Sequence, residues 1–137
     1  IPNSRRMKKD IKFPKVEGVS LAIGRQPIEA ANTYEYRVYI INENDFPLSN
    51  VIINSTGYDD TRKTSTLRHF LETLEPHSVA PIELIETDLF ALVNQFWVSY
   101  YRDDKVFDKK FVFLPESITD ENFQYVEALD QEAVLHA

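Results

Sequence analysis

The segment from Asn94 to Leu114 constrains the fold of this chain more than any other feature, because it reads as two β-strands joined by a tight turn. The turn is formed by Asp103 and Asp104, whose residue type tolerates the left-handed backbone conformation that a two-residue hairpin loop requires. The turn also sets the pairing of the strands, so that Arg102 is expected opposite Lys105. The segment therefore predicts a β-hairpin.

The two faces of the predicted hairpin differ in character, because side chains alternate along a strand. One face is apolar and aromatic, and we predict that it belongs to the core. Its members are Phe96 opposite Phe111, Tyr100 opposite Phe107, and Val98 beside the stem of Lys109. The other face is mixed, and we predict that it points outward. Its members are Trp97 opposite Lys110, Ser99 opposite Asp108, and Tyr101 opposite Val106. The alternative is an inverted register with Trp97 in the core.

The composition indicates one globular domain with tails. A chain of 137 residues can bury a core without covalent cross-links. Its hydrophobic content of 43% and aromatic content of 12% are typical of folded chains. The absence of cysteine excludes disulfides, thiolate metal ligands and a cysteine nucleophile, and it favours a reducing, cytoplasmic compartment. No apolar run approaches the length of a membrane span and no signal peptide is visible, so we expect no membrane partner.

Charge is distributed unevenly around a net value of −7. Residues 1–15 carry six basic side chains against Asp10. We expect this stretch to be a disordered basic arm, or one partly added ahead of a natural start at Met7; a processed mature N-terminus fits equally well. Residues 116–137 carry six acidic side chains and no Lys or Arg. An acidic body disfavours nucleic acid as a partner, because phosphate binding needs clustered cations.

Apolar runs separated by turn residues predict further strands before the hairpin. The predicted strands are Val16–Ile23, Thr33–Asn42, Val51–Tyr58, Thr64–Leu74 and Val79–Glu86. The segment Thr64–Leu74 also has helical spacing of its apolar residues, so a short helix is the alternative to an edge strand there. Together with the hairpin, about seven strands in roughly 100 residues predict an all-β fold of two antiparallel sheets.

In the number and rhythm of its strands, the part of the chain over residues 16–114 resembles an immunoglobulin-like or fibronectin-III-like sandwich. The cysteine pair of antibody domains is missing, and Trp97 falls on the sixth predicted strand instead of the third. The resemblance implies an architecture and no particular function.

The pattern changes after Pro115. Thr119 can cap a helix, and acidic residues at 120 and 121 are favourable in its first turn. Apolar residues then recur at helical spacing, at Phe123, Val126, Leu129 and Ala133. Residues 115–137 are therefore predicted to form an acidic C-terminal helix or tail, with a helix of about four turns and one narrow apolar stripe.

Residues suited to catalysis or metal binding are sparse. The three histidines lie in no metal-binding motif, and no nucleophile elbow or phosphate loop is present, so we expect no enzymatic activity and no cofactor. Glu75 and His77 are the candidate acid–base pair, although a surface histidine is the simpler interpretation. Three loops share one end of the predicted sandwich, which gives a hypothesis of a divalent-cation site against the simpler view of scattered surface carboxylates. Those loops carry Glu43, Asp45, Glu72, Glu75, His77, Asp103 and Asp104.

The outward face of the hairpin, together with the strand before it in the sheet, is the candidate binding surface. Exposed clusters of apolar side chains usually mark a contact site. The candidate residues are Ile52, Tyr58, Trp97, Tyr101, Lys110 and Val112. We predict a non-catalytic domain that binds another protein, or a second copy of itself, through this face and the C-terminal helix.

Other uses of this face compete with protein binding. The predicted C-terminal helix must bury its own apolar stripe, and this face is a place where it can do so. A glycan-binding module with Trp97, Tyr58 and Tyr101 as stacking platforms is the second functional hypothesis, which such a helix would obstruct. A divalent-cation-dependent domain with its site at the acidic loop end is the third.

Overall fold

The computed structural model describes residues 14–137 and consists mainly of β-strands. Within these residues nine strands are formed. They are β1 Val19–Ile28, β2 Thr33–Asn42, β3 Leu48–Tyr58, β4 Leu67–Leu74, β5 Ser78–Leu84, β6 Val93–Arg102, β7 Lys105–Phe113, β8 Gln124–Val126 and β9 Gln131–His136. The predicted basic arm lies outside the described residues, except for Pro14 and Lys15.

The strands form two antiparallel sheets, which confirms the all-β prediction. The five-stranded sheet has the order β5-β2-β1-β9-β8, and the four-stranded sheet has the order β4-β3-β6-β7. Helical structure between residues 14 and 137 is confined to single 3-10 turns. These turns are Glu29–Ala31, Thr87–Ala91, Pro115–Ser117 and Asp120–Asn122. None of them could cross a membrane.

The core lies between the two sheets and is built from every second residue of the strands that face it. From the five-stranded sheet the largest contributors are Leu21, Ile23, Val38 and Ile40. From the four-stranded sheet they are Leu48, Val51, Ile53, Phe96, Val98 and Phe111. Each such side chain contributes about 1.5–3 kcal/mol when it is fully withdrawn from water.

The β6–β7 hairpin has the predicted register. Arg102 pairs with Lys105, Tyr100 with Phe107, and the pairing continues without a shift to Asn94 opposite Phe113. Asp103 and Asp104 both have positive φ angles, of 51° and 62°, as a two-residue turn that follows the twist of the strands requires. The predicted inward side chains are buried, apart from the half-buried Phe107, whose ring stacks on Tyr100 with centroids 5.1 Å apart.

Strand β4 settles the ambiguity of the segment Thr64–Leu74 in favour of the edge strand, and the helical alternative is wrong. The strand pairs only with β3, with Phe70 opposite Ile52 and His69 opposite Ile53. The apolar spacing that suggested a helix has another cause. Leu71 faces inward against the core, whereas Phe70 lies on the opposite face and is exposed.

The predicted C-terminal helix is wrong, because the chain after Pro115 returns to the five-stranded sheet. β8 pairs with β9, and β9 pairs with β1, with Leu21 opposite His136. A turn closes the β8–β9 hairpin, where Asp130 has a φ of 51° and the Leu129 N–H donates to the Val126 carbonyl. The apolar residues of this segment therefore contribute to sheet packing and not to a helical stripe.

Arg25 on β1 fixes the C-terminal segment from the side. Its guanidinium lies between the rings of Tyr34 and Phe123, with centroids 4.5 and 4.4 Å away. It also forms ion pairs with Asp120 and Glu132, at 3.0 and 2.9 Å. Burial alone would lower the pKa of Arg25, but the hydrogen bond and charge of Glu132 raise it, so the cation is retained. This arrangement ties residues 120–132 to β1.

Candidate binding face

The candidate residues all lie on the outer face of the four-stranded sheet, which is the face directed away from the five-stranded sheet. β3 places Ile52 and Tyr58 there, β6 places Trp97 and Tyr101, and β7 places Lys110 and Val112. The alternation follows from the burial of their neighbours, since Ile53, Phe96, Val98 and Phe111 face the core. The inverted register is therefore wrong.

The structure brings most of these residues together around Trp97. Lys110 is directly opposite Trp97 on β7, and Ile52 is opposite Ser99, the next outward position along β6. Tyr58 is the exception, because it pairs with Val93, four positions along the strand from Trp97. Four residues of extended chain span about 13 Å, so Tyr58 lies at the far end of the face.

Trp97 is held in one orientation by polar neighbours. Its indole N–H donates to Oδ1 of Asp108, and the hydroxyl of Ser99 donates to the same oxygen at 2.8 Å. The ammonium of Lys110 lies 5.6 Å from the centre of the indole ring, within the range of a cation–π contact. The ring is thus fixed at its edges, while 42% of the residue remains accessible to solvent.

Phe70 on β4 also belongs to this face and is not among the residues predicted from the sequence. It pairs with Ile52, and it is 59% exposed, more than Trp97 at 42% or Tyr101 at 45%. Val106, opposite Tyr101 on β7, is exposed as well. The signal for Phe70 was present in the sequence, because a strand assignment for residues 67–74 with Leu71 inward places Phe70 outward.

The C-terminal segment does not cover this face. Its strands β8 and β9 extend the other sheet, where Phe123 and Val134 are buried in the main core. The expectation that a C-terminal helix would lie over Trp97 is therefore wrong. Across residues 14–137, the outer-face side chains of Phe70, Trp97 and Tyr101 remain accessible at the fractions given above, whereas Tyr58 is only partly exposed.

The charges around the aromatic side chains are of both signs. Arg68 and Glu72 flank Phe70 on β4, and Asp108 and Lys110 flank Trp97 on β7. On the inner side of the same hairpin, burial raises the pKa of the Tyr100 phenol to about 12. The outer face is thus an apolar surface with mixed polar neighbours, whereas the inner face is mainly aromatic and aliphatic, with Lys109 at its margin.

The loop end that suggested a cation site uses its carboxylates in another way. The carboxylate of Asp45 accepts a hydrogen bond from Nε2 of His77 at 2.5 Å, so that the pair links two loops. His77 therefore partners Asp45 and not the predicted Glu75. In the portion of the chain that the structure describes, no group of three or more His, Cys, Asp or Glu side chains is arranged to hold a metal ion.

A second polar group lies at the open side of the sandwich between β4 and β5. Glu83 accepts hydrogen bonds from His69 Nε2 at 2.6 Å and from the Ser55 hydroxyl at 2.8 Å. In a serine nucleophile the hydroxyl proton passes to the imidazole. Here the hydroxyl donates to the carboxylate and not to the imidazole, and these hydrogen bonds link β5 of one sheet to β3 and β4 of the other.

The chain was compared with family models and with curated proteins, and neither comparison found a match.

Proposed function

We propose that this chain is a non-catalytic binding module that contacts another protein through the outer face of its four-stranded sheet. The observation that carries the proposal is the exposure of Phe70, Trp97 and Tyr101 on one face, with Ile52 between them. An exposed apolar cluster with a polar rim is the usual composition of a contact surface.

The fixed orientation of Trp97 supports this role. Tryptophan and tyrosine side chains dominate the energetics of many protein interfaces, because a single ring buries a large area. A ring that is already held in place loses little conformational freedom on binding, so more of its contact energy appears as affinity. Asp108 and Ser99 provide this preorganisation for Trp97.

We also propose that the sandwich is immunoglobulin-like or fibronectin-III-like. Strands β3, β6 and β7 are adjacent in one sheet, and β1, β2 and β5 lie in the other, as in such sandwiches. Strand β4 pairs with β3 and not with β5, and β8 and β9 are additions to this plan.

Glycan binding is the second candidate, and one observation favours it. The C-terminal helix that would have obstructed the face is replaced by strands in the other sheet, so the Trp97 ring is accessible. Ser99, Asp108 and Lys110 supply hydrogen-bonding groups beside the ring, as a sugar hydroxyl would require. Tyr58 lies too far along the sheet to share a single sugar ring with Trp97.

The test compares capture of partners by the wild type, Trp97→Ala and Tyr125→Ala. Tyr125 is an exposed tyrosine on β8 in the other sheet and provides the matched control. We expect proteins that are retained by the wild type and by Tyr125→Ala to be lost with Trp97→Ala. A purified partner should then shift the fluorescence of Trp97, which is the single tryptophan of the chain. Equal retention by all three proteins would refute the proposal.

A glycan array with the wild type and Trp97→Ala separates the two candidates. Signals that depend on Trp97, in the absence of a captured protein, would assign the face to glycans. An array without signal removes the glycan candidate and leaves the protein-binding proposal to the capture experiment.

A further inference from the structure

Among residues 14–137 the two sheets have four edge strands, β4, β5, β7 and β8, which are not equally protected against pairing with another strand. Edge strands present unpaired backbone groups, and proteins protect them with proline, charged side chains, short lengths or irregular pairing. β5 contains Pro81 and has a register shift in its pairing with β2, and β8 has only three residues. β7 has four charged side chains among its nine residues, namely Lys105, Asp108, Lys109 and Lys110.

Strand β4 has fewer of these protections, because its charged side chains are limited to Arg68 and Glu72, which have opposite signs. It has eight residues without proline or glycine, and its pairing with β3 keeps one register from Leu48 opposite Leu74 to Ser55 opposite Leu67. Two of its apolar side chains are exposed, Leu67 at one end and Phe70 in the middle. β4 is therefore the edge at which an additional strand can pair with the sheet.

The sequence of β4 is complementary to itself when two copies run antiparallel. If Phe70 pairs with Phe70 of a second copy, Arg68 lies opposite Glu72 of that copy, and Glu72 lies opposite its Arg68. Arg68, Phe70 and Glu72 are exposed and alternate with the half-buried His69 and Leu71, so each pair meets on the same side of the combined sheet. Opposite charges at facing positions stabilise paired strands, and a twofold arrangement makes the contact twice.

Neither charge has an ion-pair partner within the described part of its own chain. Arg68 and Glu72 lie four residues apart on one strand, a separation of about 13 Å that prevents direct pairing. A register shifted by two residues in either direction would place Phe70 opposite a charged residue, Arg68 or Glu72, and would lose both ion pairs. In one of the two directions Arg68 would also lie opposite Leu74. The charges therefore select the register that is centred on Phe70.

We propose that two copies of this chain associate through their β4 edges, forming a continuous eight-stranded antiparallel sheet with a twofold axis at Phe70. The β4 edge shares Phe70 with the outer face, but it contacts the second copy through strand pairing and not through the surface around Trp97, so the inference goes beyond the proposed function. In the dimer the two outer faces become one, with Phe70 of each copy at its centre and Trp97 of each copy on either side.

Charge exchange tests the register. Arg68→Glu and Glu72→Arg each place like charges opposite one another twice in the dimer, whereas the double variant R68E/E72R restores opposite charges. We expect each single variant to weaken dimerisation by about tenfold or more, and the double variant to recover most of the loss. Sedimentation at several concentrations and low salt measures this. Thermal unfolding of each variant checks that the monomer is folded.

Cysteine cross-linking tests the axis independently, because the chain has no cysteine of its own. Residues that face each other in antiparallel strands have Cα atoms about 4.5–5.5 Å apart, within the range of a disulfide. Phe70→Cys should therefore form a symmetric disulfide dimer on mild oxidation. Arg68→Cys is the matched control, since its own counterpart would lie about 13 Å away along the strand. Tyr101→Cys reports random collisions.

The proposal is overturned if the wild type remains monomeric at all concentrations and Phe70→Cys cross-links no faster than Tyr101→Cys. It is equally overturned if a dimer forms that is insensitive to both single charge variants, because another surface would then hold it. Rapid cross-linking of Phe70→Cys with rescue by the double variant supports it. These outcomes do not depend on partner capture through Trp97, so the two proposals fail separately.

Discussion

The two faces of the β6–β7 hairpin are made of the same kinds of residue in opposite roles. Phe96 and Tyr100 on the inner face are buried, and their neighbours Trp97 and Tyr101 on the outer face are exposed. Each buried aromatic residue is followed in the sequence by its exposed counterpart. Residue type alone therefore does not distinguish a core side chain from a binding side chain in a sheet. The position of the residue in the inward–outward alternation of the strand does so.

The groups that surround the aromatic rings differ between the two faces. Inside, aromatic rings meet other rings, as where Phe96 and Phe113 pack edge to face with centroids 5.9 Å apart. Outside, the Trp97 ring meets a carboxylate and an ammonium group. The inner face stabilises the fold through buried area, and the outer face retains area that a partner can bury.

The largest expected effect separates adjacent residues on the two faces. Phe96→Ala should lower the free energy of unfolding by about 3–5 kcal/mol, because it leaves a cavity between the sheets. Trp97→Ala should cost less, about 1 kcal/mol, because the residue is 42% exposed and its hydrogen bond to Asp108 and its contact with Lys110 are both at the surface. Urea denaturation of both variants, followed by circular dichroism, measures the contrast. Similar losses in the two variants would contradict the assignment of the faces.

A second effect concerns alkaline pH and the inner face. The pKa of Tyr100 is raised by burial to about 12 in the folded protein, against about 10 in the unfolded chain. The unfolded state therefore ionises first, so stability is retained below pH 10 and is lost as the pH rises towards 12. We expect a loss of about 1–2 kcal/mol from this residue, after a discount for solvent screening.

Tyr100→Phe removes this contribution and provides the control. All other ionisable groups are common to the two proteins, so the difference between the two unfolding curves isolates Tyr100. The free energy of unfolding of the variant should decline less than that of the wild type between pH 10 and pH 12. Parallel declines would show that the phenol is not held away from water.

The smallest expected effect concerns the orientation of Trp97. Asp108→Ala removes the acceptor of the indole N–H and of the Ser99 hydroxyl, and should cost about 0.5–1 kcal/mol because the site is exposed. The loss of the anchor should lower the fluorescence anisotropy of Trp97 and shift its emission. Glu121→Gln, an exposed acidic residue far along the chain, is the control. An unchanged anisotropy in Asp108→Ala would mean that packing alone orients the ring.

The parts of the fold that the sequence predicts correctly are those governed by local rules. Asp103 and Asp104 set the hairpin register, and alternation then assigns every side chain of β6 and β7 to a face. The strand Thr33–Asn42 has the predicted bounds, because seven of its ten residues are β-branched or aromatic and its ends carry polar residues. Both features depend on neighbours a few residues away.

The C-terminal segment could not be predicted by the same reasoning. Phe123, Val126, Leu129 and Ala133 have helical spacing, but an acidic helix with one narrow stripe is marginal without a surface to pack on. The edge of β1 offers hydrogen-bonding groups to β9, and Arg25 offers an ion pair to Glu132. These interactions come from residues about a hundred positions away and outweigh the local preference.

Phe70 was missed for a related reason. The assignment of residues 64–74 as strand was correct, but the competing helical spacing left open which of its residues face outward. Only the pairing of β4 with β3, which places Phe70 beside Ile52, shows that the side chain belongs to the same face as Trp97. The predicted set of binding residues was therefore incomplete at the edge of the sheet.

The pairing of β1 with β9 has a consequence for how the chain folds. Arg25 and Glu132 are 107 residues apart, and bringing such distant segments together costs chain entropy before any contact compensates for it. The β6–β7 hairpin closes over two residues, so it can form early, whereas β9 can join only a sheet that already exists. We expect amide hydrogens of β9 to exchange with solvent faster than those of β6, because the last strand to join can detach without unfolding the rest.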